Sequence, residues 1–296
     1  MKTETGRHAA PRRRFLKHAA AGTLGLSLSA LPGWTDRTTS PSSKHGLESL
    51  DDRVRLGVAT YSLREFSREE AIAMVNALGA TTVSVKSFHL PYELSDAEIR
   101  SAVSEFHDAG LTIESSGNNT ISEDTDEHVR MFFEYARASG IPMLVIAPHP
   151  DTLPRIEQFV KEYDISVAIH NHGPEDPHYP APSDALRLIG DMDPRIGLCV
   201  DVGHTARTGN DVVQEIADAG DRVLDMHMKD LQDLTDRDSQ CIVGEGKLPV
   251  PAIFHQLVDM QYAGSVNLEY EIHPDDPLPG MQRSFAYMRG VIAGME

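Results

Sequence analysis

From Arg53 onward the chain alternates between two hydrophobic patterns. Short, nearly continuous apolar runs recur at RLGVATYS (55–62), TTVSVKS (81–87), LTIESSG (111–117), PMLVIAP (142–148), ISVAIHN (165–171), RIGLCVD (195–201), RVLDMHM (222–228) and GSVNLEY (264–270). Runs of this kind suit strands buried on both faces. Between them lie stretches such as REEAIAMVNALG, SDAEIRSAVSEFHDAG and TDEHVRMFFEYARASG. Their apolar residues recur three and four apart and Gly often closes them, the pattern of amphipathic helices. Ser95 and Asp124 are placed to cap two of these helices. Eight strands alternating with helices predict an α/β fold, a (β/α)₈ TIM barrel. The main rival is a doubly wound open sheet, but no GxGxxG turn follows the first strand.

The barrel pattern occupies residues 53–296. Residues 31–52 are rich in Ser, Thr, Pro and charge and are expected to be a linker. Upstream, Arg12-Arg13-Arg14-Phe15-Leu16-Lys17 leads into the weakly apolar HAAAGTLGLSLSALPG. This resembles a Tat export signal over residues 1–30, with cleavage near Ser29 or Ala30; the bland alternative is a basic, disordered N-terminus. The stretch is short and rich in Gly and Ser for a membrane span, and no Cys lies near it to carry a lipid. The expectation is an exported protein, periplasmic or extracytoplasmic, with no stable membrane anchor.

The 296 residues carry a formal charge of −18. Residues 1–30 hold six Lys/Arg and one Glu, so their removal leaves −23. A surface that binds nucleic acid must neutralise phosphates with Lys and Arg, so this charge argues against such a partner. It suits a neutral small molecule instead. The two cysteines, Cys199 and Cys241, are expected to be free thiols, since one lies in a strand run and the other in a polar connection.

Four strand runs end on a metal-binding residue type: His170 in SVAIHNHG, Asp201 in GLCVDVGH, His227 in VLDMHMKD and Glu269 in SVNLEYE. In a parallel barrel, strand ends of the same sense converge on one face. Two imidazoles and two carboxylates complete the shell of a divalent ion, with Mn²⁺ expected and Mg²⁺, Co²⁺ or Zn²⁺ as alternatives. The bland alternative for any one His is a hydrogen-bonded core residue. His172, two residues beyond His170, points to the same side; it either binds substrate or replaces His170 as ligand. Asn171 between them faces the helices or caps the turn. Lys229, two residues beyond His227, also faces the pocket; its pKa would be depressed beside a cation, making it an acid or oxyanion partner. Asp230 is a second candidate there, or a salt-bridging residue. Lys86 and His89 in VKSFHLP are placed to hold a substrate oxygen, Lys86 more so. Tyr61 closes strand one, where it stacks on a ligand ring or packs. Glu114 and His149 also lie near strand ends, Glu114 as a polar layer residue and His149 in pocket or loop.

The chain resembles the xylose-isomerase-like TIM barrels, the group of sugar isomerases, ketose epimerases, inosose dehydratases and endonuclease IV. The resemblance spans about residues 53–294 and rests on AIHNHGPED (168–176), VDVGHTARTG (200–209), HMKD (227–230), GEG (244–246) and LEYE (268–271). It implies metal ligands at the ends of strands five to eight. Asp201, His227 and Glu269 match directly, whereas His170 stands where Glu is common. It also implies that His204 binds substrate or transfers a proton, or orients Asp201, and that the loop bearing Glu245 packs beside the site. The implied activity is on a small carbohydrate through an enediolate, with Glu269 as base and Lys229, Lys86 or His204 as acid. The outcome is isomerisation or epimerisation, or elimination and hydration; loss of the paired glutamate tilts toward the latter. A phosphodiesterase like endonuclease IV needs more ligands than the sequence offers. A non-catalytic sugar-binding protein on a degenerate barrel is the alternative from another class. Family members often pair, so a homo-oligomer is a further expectation.

Overall fold

A computed structural model describes residues 54–295. The expected export signal (residues 1–30) and the expected linker (31–52) both lie outside the described residues. Eight parallel strands close into a barrel: β1 (Arg55–Ala59), β2 (Thr82–Val85), β3 (Thr112–Ile121), β4 (Met143–Pro148), β5 (Ser166–His170), β6 (Ile196–Asp201), β7 (Val223–Met228) and, after the short β8 (Asp230–Leu231) and β9 (Gln240–Cys241), β10 (Ser265–Leu268). Neighbours run β1-β10-β7-β6-β5-β4-β3-β2 around the closed ring. Each falls on one of the eight apolar runs, which are buried on both faces as the pattern demanded. The surrounding helices are α1 (Arg68–Leu78), α2 (Asp96–Asp108), α3 (Asp126–Ser139), α4 (Leu153–Tyr163), α5 (Pro182–Ile189), α6 (Val202–Arg207), α7 (Val212–Ala219), α8 (Val250–Asp259) and α9 (Leu278–Ala293). The core lies between the ring and these helices, with Phe106, Phe133, Phe254 and Phe285 fully buried against strand residues such as Val83, Leu144 and Val167. No helix among the described residues is long and apolar enough to cross a membrane.

Local chemistry fixes the helix starts. Ser95 caps α2 as expected, in a reciprocal capping box with Glu98. Asp124 does not cap α3. Thr125 stands at that position and accepts from the His128 amide at 3.2 Å, while Asp124 pairs with Arg155 at 2.6 Å. The Asp carboxylate lies one residue too early to reach the free amides of the first turn.

The strand β3 runs four residues past its expected end at Gly117. A Cβ at Gly117 would lie 2.5 Å from the Val145 carbonyl oxygen, so the bare backbone is what lets β3 continue against β4 through a register shift. That extension puts Glu114 at the lower part of the barrel, where it accepts from Ser265 at 2.6 Å and pairs with Arg55. It is a polar layer residue, remote from the strand's C-terminal end. Above it, the buried Asp225 accepts from Ser115 and Asn267, both at 2.7 Å. Both cysteines are free and buried.

Between β7 and α8 the polar connection forms a small antiparallel pair, β8 with β9. Asp230 holds it in place. Buried, it accepts four backbone N–H groups: Leu231 at 2.9 Å, Gly244 at 2.9 Å, Gly246 at 3.1 Å and Leu248 at 3.0 Å. No ion pair to Asp230 is present among the described residues, so it organises a loop rather than bridging to a cation. A Cβ on Gly246 would come within 2.2 Å of the Asp230 Oδ1, which accounts for the second glycine of GEG. Replacing Asp230 by Ala leaves several buried amides unpaired. The Asp230→Ala protein should lose about 3 kcal/mol or more of unfolding free energy, measured by urea titration. A change under about 1 kcal/mol would show that water replaces the carboxylate without cost.

Candidate metal centre at the C-terminal face of the barrel

His170 and Asp201 are the last residues of β5 and β6, His227 is the penultimate residue of β7, and Glu269 follows β10 directly. Asp201 is in register with His227, and His227 with Asn267. The register therefore delivers the donors to one level of the ring. All four are buried, and one ligand atom from each lies within 4.8 Å of the others. The two imidazoles meet at 3.0 Å through His170 Nε2 and His227 Nδ1. His227 Nδ1 is 3.5 Å from Glu269 Oε2, and His170 Nε2 is 3.8 Å from Asp201 Oδ2. His170 Nδ1, His227 Nε2 and Asp201 Oδ2 lack hydrogen-bond partners. Buried polar atoms are normally satisfied, and Asp201 Oδ2, orphaned within a cluster of two imidazoles and two carboxylates, fits the donor set of a divalent cation.

The surroundings are built for these donors. Asn171 accepts from the Asp201 amide at 2.9 Å and donates to Thr205 Oγ1 at 3.0 Å, and Thr205 donates to the Asp201 carbonyl at 2.7 Å. It thus faces helix α6, one of the two places expected of it, and also clamps β6 to β5. The His204 backbone N–H donates to Asp201 Oδ1 at 2.7 Å, so α6 begins on the ligand itself. Lys229 is buried with its Nζ 2.7 Å from Glu269 Oε2, 2.9 Å from Glu271 Oε2 and 3.0 Å from Asp201 Oδ2. The Asp201 contact is an ion pair lacking hydrogen-bond alignment. A Cβ on Gly203 would lie 2.6 Å from Lys229 Cγ, so the glycine of DVGH makes room for this lysine.

Charge is distributed unevenly over the cluster. Burial disfavours the Lys229 ammonium, but the carboxylates of Asp201, Glu269 and Glu271 outweigh it and hold the pKa well above the usual lysine range. The three carboxylates thus oppose the depression expected beside a cation and favour the protonated form of Lys229. Burial would raise the Glu269 pKa, yet Lys229 and His227 keep it well below the ordinary carboxylate range. Burial and the neighbouring imidazoles hold His170 well below its usual range. Burial pushes His204 down to about 4, so its ring is neutral near pH 7.

A cavity of about 800 Å³ opens over the cluster. Of the expected site residues, Tyr61, Lys86, His170, His172, His204, Lys229 and Glu269 line it. His172 faces Asn118 at 2.9 Å and Asp176 at 3.2 Å and takes no place in the donor cluster. Lys86 donates to the Asn118 carbonyl; burial lowers its pKa, opposed by the Glu269 charge. Two expectations change, and for His149 the loop alternative is the one found. His89 does not reach the cavity: the chain turns after Lys86, with the His89 amide bonded to the Lys86 carbonyl, and the ring is buried 3.2 Å from the Phe66 carbonyl. Glu245 points away, pairing with Arg283 on the exposed side of its loop, because Asp230 has drawn the flanking backbone inward. His149 lies in the loop after β4, beside His178. Sequence reasoning missed Glu271, Arg207 and Asn118. The two-residue strand period from Glu269 could have found Glu271. Arg207, buried and paired with Glu175, carries no local signal.

The sequence profile of the xylose isomerase-like TIM barrel matches residues 69–291. The chain belongs to this family. No curated protein matches the sequence. Among solved structures, D-psicose 3-epimerase from Clostridium cellulolyticum is similar at 14% identity and TM-score 0.67, over 81% of this chain and 99% of that one. The E. coli 3-keto-D-glucoside 4-epimerase is similar at 18% and 0.65, over 80% and 99%. An uncharacterised Parabacteroides distasonis protein has 24% identity and TM-score 0.62, over 80% and 98%. These likenesses establish the fold. Xylose isomerase-like proteins usually bind a divalent metal, and here the matching residues form a His/Asp/Glu cluster.

If Asn171 orients Asp201, then Asn171→Ala should weaken Mn²⁺ binding by about 10- to 100-fold while the protein stays folded. Manganese EPR titration with circular dichroism as the fold control checks this. Unchanged affinity would confine Asn171 to a structural role.

Proposed function

We propose that this protein is a divalent-metal-dependent enzyme. It acts on a small unphosphorylated sugar or keto sugar through an enediolate, as an isomerase or epimerase or as a keto-sugar dehydratase or hydratase. The observation that carries this reading is the convergence of four buried donors within 4.8 Å, with Lys229 among them, at the floor of a sugar-sized and larger cavity. His170, Asp201, His227 and Glu269 would hold the ion. When bound, such an ion polarises a substrate carbonyl and favours negative charge on its oxygen.

The chain's own groups supply the rest. Glu269 is kept ionised by Lys229 and borders the cavity, so it is placed to take the proton next to the carbonyl. Protonated Lys229 donates toward developing oxygen charge and holds both acidic ligands in position. Neutral His204 accepts or relays a proton. Lys86, with its pKa lowered by burial, is the acid on the β2 side. Cavity walls of protein in place of bulk water keep these interactions strong.

The branch follows from what stands opposite Glu269. His170 lies three strands round the barrel from it, and the wall there carries the imidazoles of His170, His172 and His204. The nearest acids on that side, Glu175 and Asp176, are tied to Arg207 and His172. A two-carboxylate epimerisation loses one base in such a site. Elimination or hydration, which needs one base and one acid, is favoured over epimerisation and isomerisation. The twin-arginine segment at residues 12–17 supports a place for this chemistry outside the cytoplasm.

Turnover of a panel of aldoses, ketoses and 3-keto glycosides by Mn²⁺-loaded protein tests the reading. Glu269→Gln should lower kcat by about 10²- to 10⁴-fold with the barrel intact. Activity within about twofold of the unaltered protein would remove Glu269 from the base role.

A further inference from the structure

The cavity is larger than one sugar ring needs. At about 800 Å³ it falls near the top of the range of roughly 300–1,000 Å³ seen for sites that enclose drug-sized ligands. The donor cluster occupies only its floor. The strands β1 and β2, which are neighbours in the ring, are each followed within three residues by an aromatic, Tyr61 and Phe88. Tyr61 lines the cavity, and Phe88 stands beside it with ring centroids 6.0 Å apart. The turn after β2 divides its residues sharply. Lys86 faces the cavity, His89 and Leu90 are buried, and Phe88 is left 52% exposed.

A guanidinium lies against this aromatic pair. Arg64 lies with its guanidinium carbon 4.9 Å from the Tyr61 ring centre and donates to the Glu271 carbonyl at 3.0 Å. Arg64 has no carboxylate partner within ion-pair distance among the described residues, and it lines the cavity together with Arg237 and Asp238 from the loop between β8 and β9. A sugar ring presents an apolar C–H face and an edge of hydroxyls. An exposed aromatic face beside a guanidinium that has no carboxylate partner among the described residues is complementary to both.

We propose that Phe88 and Tyr61 form an outer subsite that binds the second ring of a glycoside or disaccharide, while the first ring lies over the donor cluster. The preferred substrate class is therefore a glycoside rather than a free monosaccharide. This rests on the sugar-acting reading above. The aromatic face supplies affinity by stacking, and Arg64 fixes the ring's hydroxyl edge. Because the donor cluster does not touch Phe88, the subsite contributes to binding independently of the chemistry.

Titration calorimetry on the Mn²⁺-loaded full chain separates the possibilities, with D-glucose, methyl β-D-glucoside, phenyl β-D-glucoside and cellobiose as probes. The two-ring probes should bind about three- to tenfold tighter than glucose and the methyl glucoside. Phe88→Ala should erase that difference and leave glucose affinity unchanged, and Phe88→Tyr should restore it. Equal affinity for one- and two-ring probes overturns the subsite alone and leaves the sugar reading standing. So does a preference that survives Phe88→Ala. Binding of none of the probes, with metal bound stoichiometrically, overturns both. If Phe88→Ala instead converts a dimer to a monomer in light scattering without altering the sugar preference, Phe88 is an interface between copies and the subsite is rejected.

Discussion

Two carboxylates and two imidazoles buried within 4.8 Å of one another are the constraint around which this barrel is arranged. Burying charge without compensation is unfavourable by several kcal/mol per group, and burying like charges together adds repulsion. The chain compensates locally. Lys229 lies among Asp201, Glu269 and Glu271, the His204 amide satisfies the second oxygen of Asp201, and Asn171 with Thr205 fixes the strand that carries it. Gly203 exists in this sequence because that lysine passes where a side chain would stand. Even so, Asp201 Oδ2 keeps no hydrogen bond inside this cluster, and a divalent ion fits such a donor set.

The same arrangement separates the roles of its members. Lys229 is held protonated and Glu269 ionised, while burial keeps His170 and His204 neutral. A cation, a carboxylate and neutral imidazoles thus stand around one cavity, their states set by burial and neighbours rather than by residue type. His170 makes the cluster one charge less negative than a set with Glu at that place, and it leaves Glu269 without a symmetrical carboxylate across the cavity. That single substitution is the structural basis for preferring elimination or hydration.

Much of this was legible in the sequence, for identifiable reasons. Strands of a parallel barrel are buried on both faces, so their apolar runs stand out, and a polar residue ending such a run needs a partner. His170, Asp201, His227 and Glu269 were found that way. What escaped depended on contacts between distant segments. Asp230 gathers four amides from positions up to 18 residues away, which no local pattern announces. The position of Glu114 depended on how far β3 runs, and Gly117 beside Val145 decides that. Lys86 and His89 sit in one turn, yet the turn sends them to opposite sides. Thr125 and Asp124 are both good caps, and only backbone geometry selects between them.

The central claim is that the donor cluster supports removal of a proton next to a sugar carbonyl. Proton NMR of the Mn²⁺-loaded protein incubated in D₂O with ketoses and 3-keto glycosides, with the ion stripped before the spectra are recorded, tests it most directly. Deuterium entering at the carbon beside the carbonyl, and failing to enter when Glu269 is replaced by Gln, is the predicted result. Stoichiometric metal with no exchange on any of these sugars would contradict it and make the barrel a binding protein.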